Sequence, residues 1–139
     1  MSETNQVVSP SGWCKGKLGP LGDLVPNKIA LIDRSNILTF EARTGNPPVS
    51  GQVLTFELPG NIQSGSHEDL ARLFGIYSYG GEHVEAWRGI SGIIDLVINR
   101  TQQQFSATLA YKVLAPDGTE FYVNVDLGIS GFNQLITPS

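Results

Sequence analysis

The stretches "FSATLAYKV" (Phe105–Val113) and "EFYVNVDLGI" (Glu120–Ile129) decide the fold class of this 139-residue chain. In both of them apolar side chains recur at every second position, which is the pattern of a strand with one buried face. The intervening "APDGT" is a strong turn, because Pro116 is preset for the first turning position and Gly118 can take a positive φ. The two stretches therefore predict an antiparallel hairpin.

Two further stretches, "ILTFEA" (Ile37–Ala42) and "VLTFEL" (Val53–Leu58), are near-copies joined by a connection rich in Gly and Pro, and they predict a second hairpin. "GIIDLVIN" (Gly92–Asn99) is apolar on both faces, so we expect it to be covered on both sides by a helix, by the N-terminal segment or by a second subunit. Together these patterns predict an all-β chain. Its architecture is expected to be a small antiparallel barrel or sandwich of about six to eight strands.

One segment has helical rather than strand periodicity. Ser66 precedes Asp69 by three residues, as in a capping box, and Gly75 can end a helix. We therefore predict one short helix over Ser66–Phe74. Its buried stripe would consist of Leu70, Leu73 and Phe74.

The first 27 residues differ in composition from the rest of the chain. Gly and Pro interrupt every helix or long strand there, but residues such as Trp13 and Leu18 are too apolar for a free tail. We predict that residues 1–27 are an arm packed on the body or on a neighbouring subunit. Residues 28–139 are expected to be a single β domain.

Composition limits the classes of partner. The formal net charge is −4 and no run of basic residues is present, so the sequence predicts no nucleic-acid partner. No apolar stretch approaches the ~20 residues of a membrane-spanning helix. The N-terminus has no signal-peptide pattern, and the single cysteine, Cys14, cannot form an internal disulfide. These features predict a cytoplasmic protein.

The sequence assigns no catalytic residue, no metal ligand and no cofactor. Neither histidine stands in a metal-binding pattern, and "GISGI" lacks the spacing of a serine nucleophile elbow. The tetrapeptide GISG occurs at Gly89–Gly92 and again at Gly128–Gly131. At both places we expect a bend or bulge of the backbone in a curved sheet.

An aromatic cluster in a Gly-rich stretch is the candidate ligand-binding site. Aromatic and arginine side chains concentrate in pockets and interface hot spots, although core packing is the alternative explanation for the aromatic ones. The candidate ligand-binding residues are Tyr77, Tyr79, His83, Trp87 and Arg88.

Three functions remain open from the sequence. The first is a non-enzymatic binding module, either a barrel holding an apolar or amphipathic small molecule or a protein-interaction domain. The alternative is a small enzyme with a dispersed acid/base site, in which His83 acts with Glu85 or Asp95. The third is a structural or assembly subunit, forming a homo-oligomer through the arm or through the strand Ile93–Ile98.

Overall fold

A computed structural model describes residues 9–138, and all of the long elements in that range are β-strands. The only other regular elements in the described range are single 3-10 turns at Gly19–Leu21 and Ala71–Leu73. The strands are β1 Ser11–Lys17, β2 Asp23–Leu24, β3 Lys28–Asp33, β4 Ile37–Asn46, β5 Ser50–Pro59, β6 Gly65–His67, β7 Phe74–Gly80, β8 His83–Asn99, β9 Gln104–Leu114 and β10 Glu120–Ser130.

The strands form one antiparallel sheet in the order β2-β1-β10-β9-β8-β7-β5-β4-β3, with β6 paired to β8. The predicted hairpin around "APDGT" is β9–β10, and it pairs from Glu120 opposite Leu114 to Ser130 opposite Gln104. The two near-copies form the hairpin β4–β5, in which Phe40 lies opposite Phe56. The predicted all-β class is therefore confirmed.

The sheet curls into a half-barrel, and its outermost strand β3 is not left bare. Ile29 of β3 exchanges two backbone hydrogen bonds with Ile136, at 2.9 and 2.8 Å. Asn133 donates its backbone N–H to Leu31 (2.8 Å) and accepts a bond from the Asp33 N–H on its side-chain oxygen (2.7 Å). The segment after β10 thus covers the free edge of β3.

The concave face of the sheet is filled by apolar side chains. Phe40 and Phe56 stack with ring centroids 5.0 Å apart, and Phe74 meets Tyr111 edge to face at 5.1 Å. Inward-facing residues of β3, β4, β5, β9 and β10 belong to the same buried cluster. Because side chains occupy the interior, the hypothesis of a small molecule held there has no support.

The predicted helix over Ser66–Phe74 is wrong. Gly65–His67 is the short strand β6, which pairs with β8 so that Ser66 lies opposite Asp95. The Ser66 hydroxyl donates to the Asp95 carboxylate instead of capping a helix. Only Ala71–Leu73 forms a single 3-10 turn. Pairing with a strand distant in sequence has overridden the local capping signal, and Leu73, expected in the buried stripe, is 44% exposed.

The strand inside "GIIDLVIN" is covered on one face only. Ile94 and Leu96 are buried, whereas Val97 on the opposite face is 63% exposed. The edges of this part of β8 are paired with β6 and β9. The segment expected to cover its second face as a helix lies instead beside it as a strand, so cover by a helix is wrong, and cover by a second subunit stays a prediction.

Part of the predicted N-terminal arm belongs to the sheet. Ser11–Lys17 is β1 and pairs along its whole length with β10, and Leu24 of β2 lies opposite Gly16. The first eight residues of the predicted arm lie outside the described residues. The division of the chain at residue 27 stays a prediction.

Both GISG copies lie at irregular backbone, as expected. At the first copy the register between β8 and β9 shifts between Gly89 and Ser91, which marks a bulge at Ile90. At the second copy β10 ends at Ser130, and Gly131 has a φ of +95°. Glycine suits this left-handed conformation because it has no Cβ.

Cys14 gives a prediction about alkaline stability. Burial raises the pKa of its thiol to about 12, with a smaller contribution from Asp126. The folded state favours the neutral thiol, so its contribution to stability is complete below the ordinary pKa of 9.0 and is lost as the pH rises towards 12. Urea unfolding over this alkaline range, with a reducing agent present, should show a shallower decline for Cys14→Ala than for the unaltered chain. Parallel curves would contradict this account.

Candidate functional site

The candidate residues lie on the hairpin β7–β8, which distributes them over two faces. Gly75 pairs with Arg88, Ile76 with Trp87 and Tyr77 with Ala86. Since side chains alternate along a strand, Tyr77 and Arg88 point to the convex face, and Trp87 shares the concave face with Ile76. Tyr79 follows Tyr77 on the convex face, and the exposed His83 lies at the hairpin tip opposite Gly80.

Trp87 packs as a core residue but has an unsatisfied donor. The side chain is 7% exposed and contacts Phe121 edge to face, with centroids 5.6 Å apart. Its indole N–H finds no hydrogen-bond partner among residues 9–138. A buried donor without a partner costs about 1–3 kcal/mol.

A groove of about 620 Å³ lies on the convex face where β5, β7 and β8 run side by side. We call it the outer groove. Three of the candidate residues, Tyr77, Trp87 and Arg88, line it, whereas Tyr79 and His83 do not. Glu57, Arg72, Gly75 and Ile90 also line it.

Gly75 and Ile90 shape the outer groove. A Cβ built on Gly75 would lie 3.4 Å from Cε2 and 3.6 Å from Oη of Tyr77, so the tyrosine ring lies across the glycine. The bulge in β8 adds Ile90, which is 42% exposed beside the groove. A bulge commonly re-aims a side chain in this way. The result is a shallow groove with one exposed aromatic ring and two nearby cations.

Those cations, Arg72 and Arg88, have free guanidinium groups. In the described part of the chain neither group has an ion-pair or hydrogen-bond partner. By contrast, Arg43 pairs with Glu41, and Arg100 donates to two backbone carbonyls. The Glu57 carboxylate also lines the outer groove, on the β5 side. The groove is therefore chemically suited to an anion that carries a flat ring.

The sequence did not indicate Arg72 or Ile90 as members of a site. Arg72 lies within the predicted helix, and Ile90 lies within the tetrapeptide at which a bend is predicted. Their positions depend on the pairing of β7 with β8 and on the bulge, and both are set by contacts between distant residues. The exposed Leu73, next to Arg72, would have been the nearest local signal.

The structure does not bring His83 and Asp95 together. His83 and Asp95 are twelve positions apart on the same strand, roughly 40 Å of extended backbone. Asp95 accepts a hydrogen bond from Ser66, and Glu85 lines a smaller groove of about 350 Å³ together with Trp87.

Within residues 9–138 no three His, Cys, Asp or Glu side chains are grouped as metal ligands would be. The same residues include no helix long and apolar enough to cross a bilayer.

The fold and the outer groove define an antiparallel half-barrel protein with a cationic, aromatic surface groove. No protein-family model and no solved structure matches the chain. The chain is 38% identical over 58 residues to the large ribosomal subunit protein uL24 of Mesomycoplasma hyopneumoniae. This match covers 41% of the chain and 54% of the ribosomal protein, so it spans about half the length of that relative.

The exclusion of nucleic acid as a partner is corrected by this finding. The exclusion rested on the net charge of −4 and on the absence of a basic run in the sequence. Both are properties of the whole chain or of adjacent residues, whereas a contact with RNA depends on the charges that the fold brings together. Similarity to a ribosomal protein contradicts a general exclusion.

Proposed function

We propose that the chain is a non-catalytic structural subunit that assembles with an RNA–protein particle. The observation that carries the proposal is the partial similarity to a protein of the large ribosomal subunit. The filled interior supports it, because a packed half-barrel offers its surface rather than a cavity to a partner. The proposal includes a cytoplasmic location, in agreement with the prediction from the sequence.

The outer groove is the surface we assign to this role. It combines free arginine side chains with an exposed tyrosine, and these groups serve contacts with phosphates and bases. Because the groove holds only a few cations, binding of RNA is expected to depend on direct contacts within the groove. General attraction between the chain and RNA is not expected at a net charge of −4.

Co-sedimentation tests the proposed function. The purified full chain is mixed with purified bacterial large ribosomal subunits and centrifuged through a sucrose cushion at moderate salt. We expect the chain to enter the pellet with the subunits, and to remain in the supernatant when the subunits are first digested with ribonuclease. A chain that stays in the supernatant with intact subunits would contradict the proposal.

A further inference from the structure

The two free cations of the outer groove lie near its glycine floor. Arg88 is directly opposite Gly75 in the pairing of β7 with β8, and Arg72 belongs to the 3-10 turn that leads into β7. Both side chains are exposed and, within the described residues, have no anionic partner. Two exposed guanidinium groups next to one floor favour a ligand with more than one negative charge.

The ring of Tyr77 supplies a stacking surface in the same groove as these cations. The residue is 38% exposed, and its ring lies over Gly75, 3.4 Å from where a Cβ on that residue would stand. An exposed aromatic ring offers a surface on which another flat group can stack. An unpaired nucleobase is such a group, whereas the bases of a duplex are stacked on each other.

We propose that the outer groove binds a short single-stranded segment of RNA, with phosphates at Arg72 and Arg88 and a base stacked on Tyr77. This inference rests on the proposed function, because it names the part of the particle that the chain contacts. The Glu57 carboxylate on the β5 side repels phosphate. The phosphate backbone of the RNA is therefore expected to run along the arginines rather than along Glu57.

The strength of the salt dependence follows from the number of phosphates. For single strands the slope of log K against log salt is about −0.7 per neutralised phosphate, so two phosphates give about −1.4. Replacing either arginine should reduce the slope to about −0.7. A much steeper slope would mean that a broad basic surface binds the RNA, and it would overturn the proposed site.

The test is a fluorescence anisotropy titration with the full chain. The probe is a fluorescein-labelled oligoadenylate of about eight nucleotides, a length within the range that small β modules cover. We expect Arg72→Gln, Arg88→Gln and Tyr77→Ala each to weaken binding about tenfold. Glu57→Gln should strengthen binding about twofold, because it removes a carboxylate that repels phosphate.

Matched controls come from the same chain. Arg34→Gln removes an exposed arginine, and Tyr122→Ala removes an aromatic residue that is 68% exposed, and neither residue lines the outer groove. Both variants should bind the probe like the unaltered chain. Urea midpoints of all the variants show whether each remains folded, and the opposite effect expected for Glu57→Gln keeps the test valid if one variant unfolds.

The outcomes separate the site from the function. If the oligoadenylate binds but the groove variants bind as well as the controls, the site is wrong while an RNA contact elsewhere survives. If the chain co-sediments with ribosomal subunits but does not bind the oligoadenylate, the inference of a single-strand site is wrong and the proposed function stands. Equal competition by poly-glutamate would overturn the inference in favour of an acidic protein partner.

Discussion

The Gly89→Ala variant is expected to lose about 3 kcal/mol of unfolding free energy, the upper part of the range for overpacking. A Cβ on Gly89 would overlap the backbone carbonyl oxygen of Ala71 and come within 3.3 Å of Cβ of Phe74. Backbone of the 3-10 turn is in the way, so a side-chain rotation cannot relieve the overlap. Urea unfolding followed by circular dichroism measures the loss.

Gly80→Ala is the matched control for this substitution. Gly80 ends β7, has no heavy atom within 4 Å of an added Cβ, and does not need a left-handed backbone. The control should stay within about 0.5 kcal/mol of the unaltered chain. If Gly89→Ala is as stable as Gly80→Ala, then the turn does not lie against β8 in the way described.

The second large effect is expected for Phe56→Ala. Phe56 is 2% exposed and stacks on Phe40 across the β4–β5 hairpin at a centroid distance of 5.0 Å. Truncation of a buried phenylalanine costs about 3–5 kcal/mol, because apolar burial is lost and a cavity remains. The urea midpoint should fall accordingly, with an unchanged dependence of the unfolding free energy on urea.

Two other variants test whether this loss comes from the cavity. Phe56→Leu keeps most of the volume and should cost much less than the alanine variant. Val97→Ala shortens a side chain that is 63% exposed on the convex face and should change stability by no more than about 0.5 kcal/mol. Similar losses for Phe56→Ala and Val97→Ala would contradict a packed concave face.

The parts of the fold that the sequence predicted are those fixed by local pattern. In β9 and β10 the alternation of apolar residues and the turn at Pro116 and Gly118 lead to the same structure, and the hairpin forms where expected. The two near-copies likewise pair with each other. The alternation of apolar residues and the preferences of turn residues act over a few positions. They can therefore be recognised in the sequence without knowledge of the rest of the chain.

The sequence predictions fail where pairing between residues distant in the chain determines the local structure. The capping signal at Ser66 is genuine as a local pattern, but the hydroxyl bonds to Asp95, 29 positions further along the chain. In the same way the outer groove needs Arg72 and Arg88 near Gly75, and no spacing rule relates these residues. The sequence indicated Tyr77, Trp87 and Arg88 as neighbours of one another, but their assignment to opposite faces required the register.

The exclusion of nucleic acid failed for a related reason. Net charge counts acidic residues wherever they lie. Asp33, at the covered edge of β3, and Glu120, which pairs with Lys112, are counted although neither lines the outer groove. A small groove can be cationic on an acidic protein, because salt screens charges beyond about 10 Å at ordinary ionic strength. Local geometry therefore carries more information about partners here than composition does.

The segment that covers β3 has a consequence for how the protein behaves at high concentration. An uncovered outer strand is a template on which another molecule can add its own strand, and such growth ends in aggregates. Here Asn133 and Ile136 already hold the outward-facing backbone groups of Ile29 and Leu31. The segment that contains Asn133 and Ile136 therefore protects the edge of β3 from pairing with another molecule. Truncation of the chain before Asn133 would expose this edge and favour aggregation.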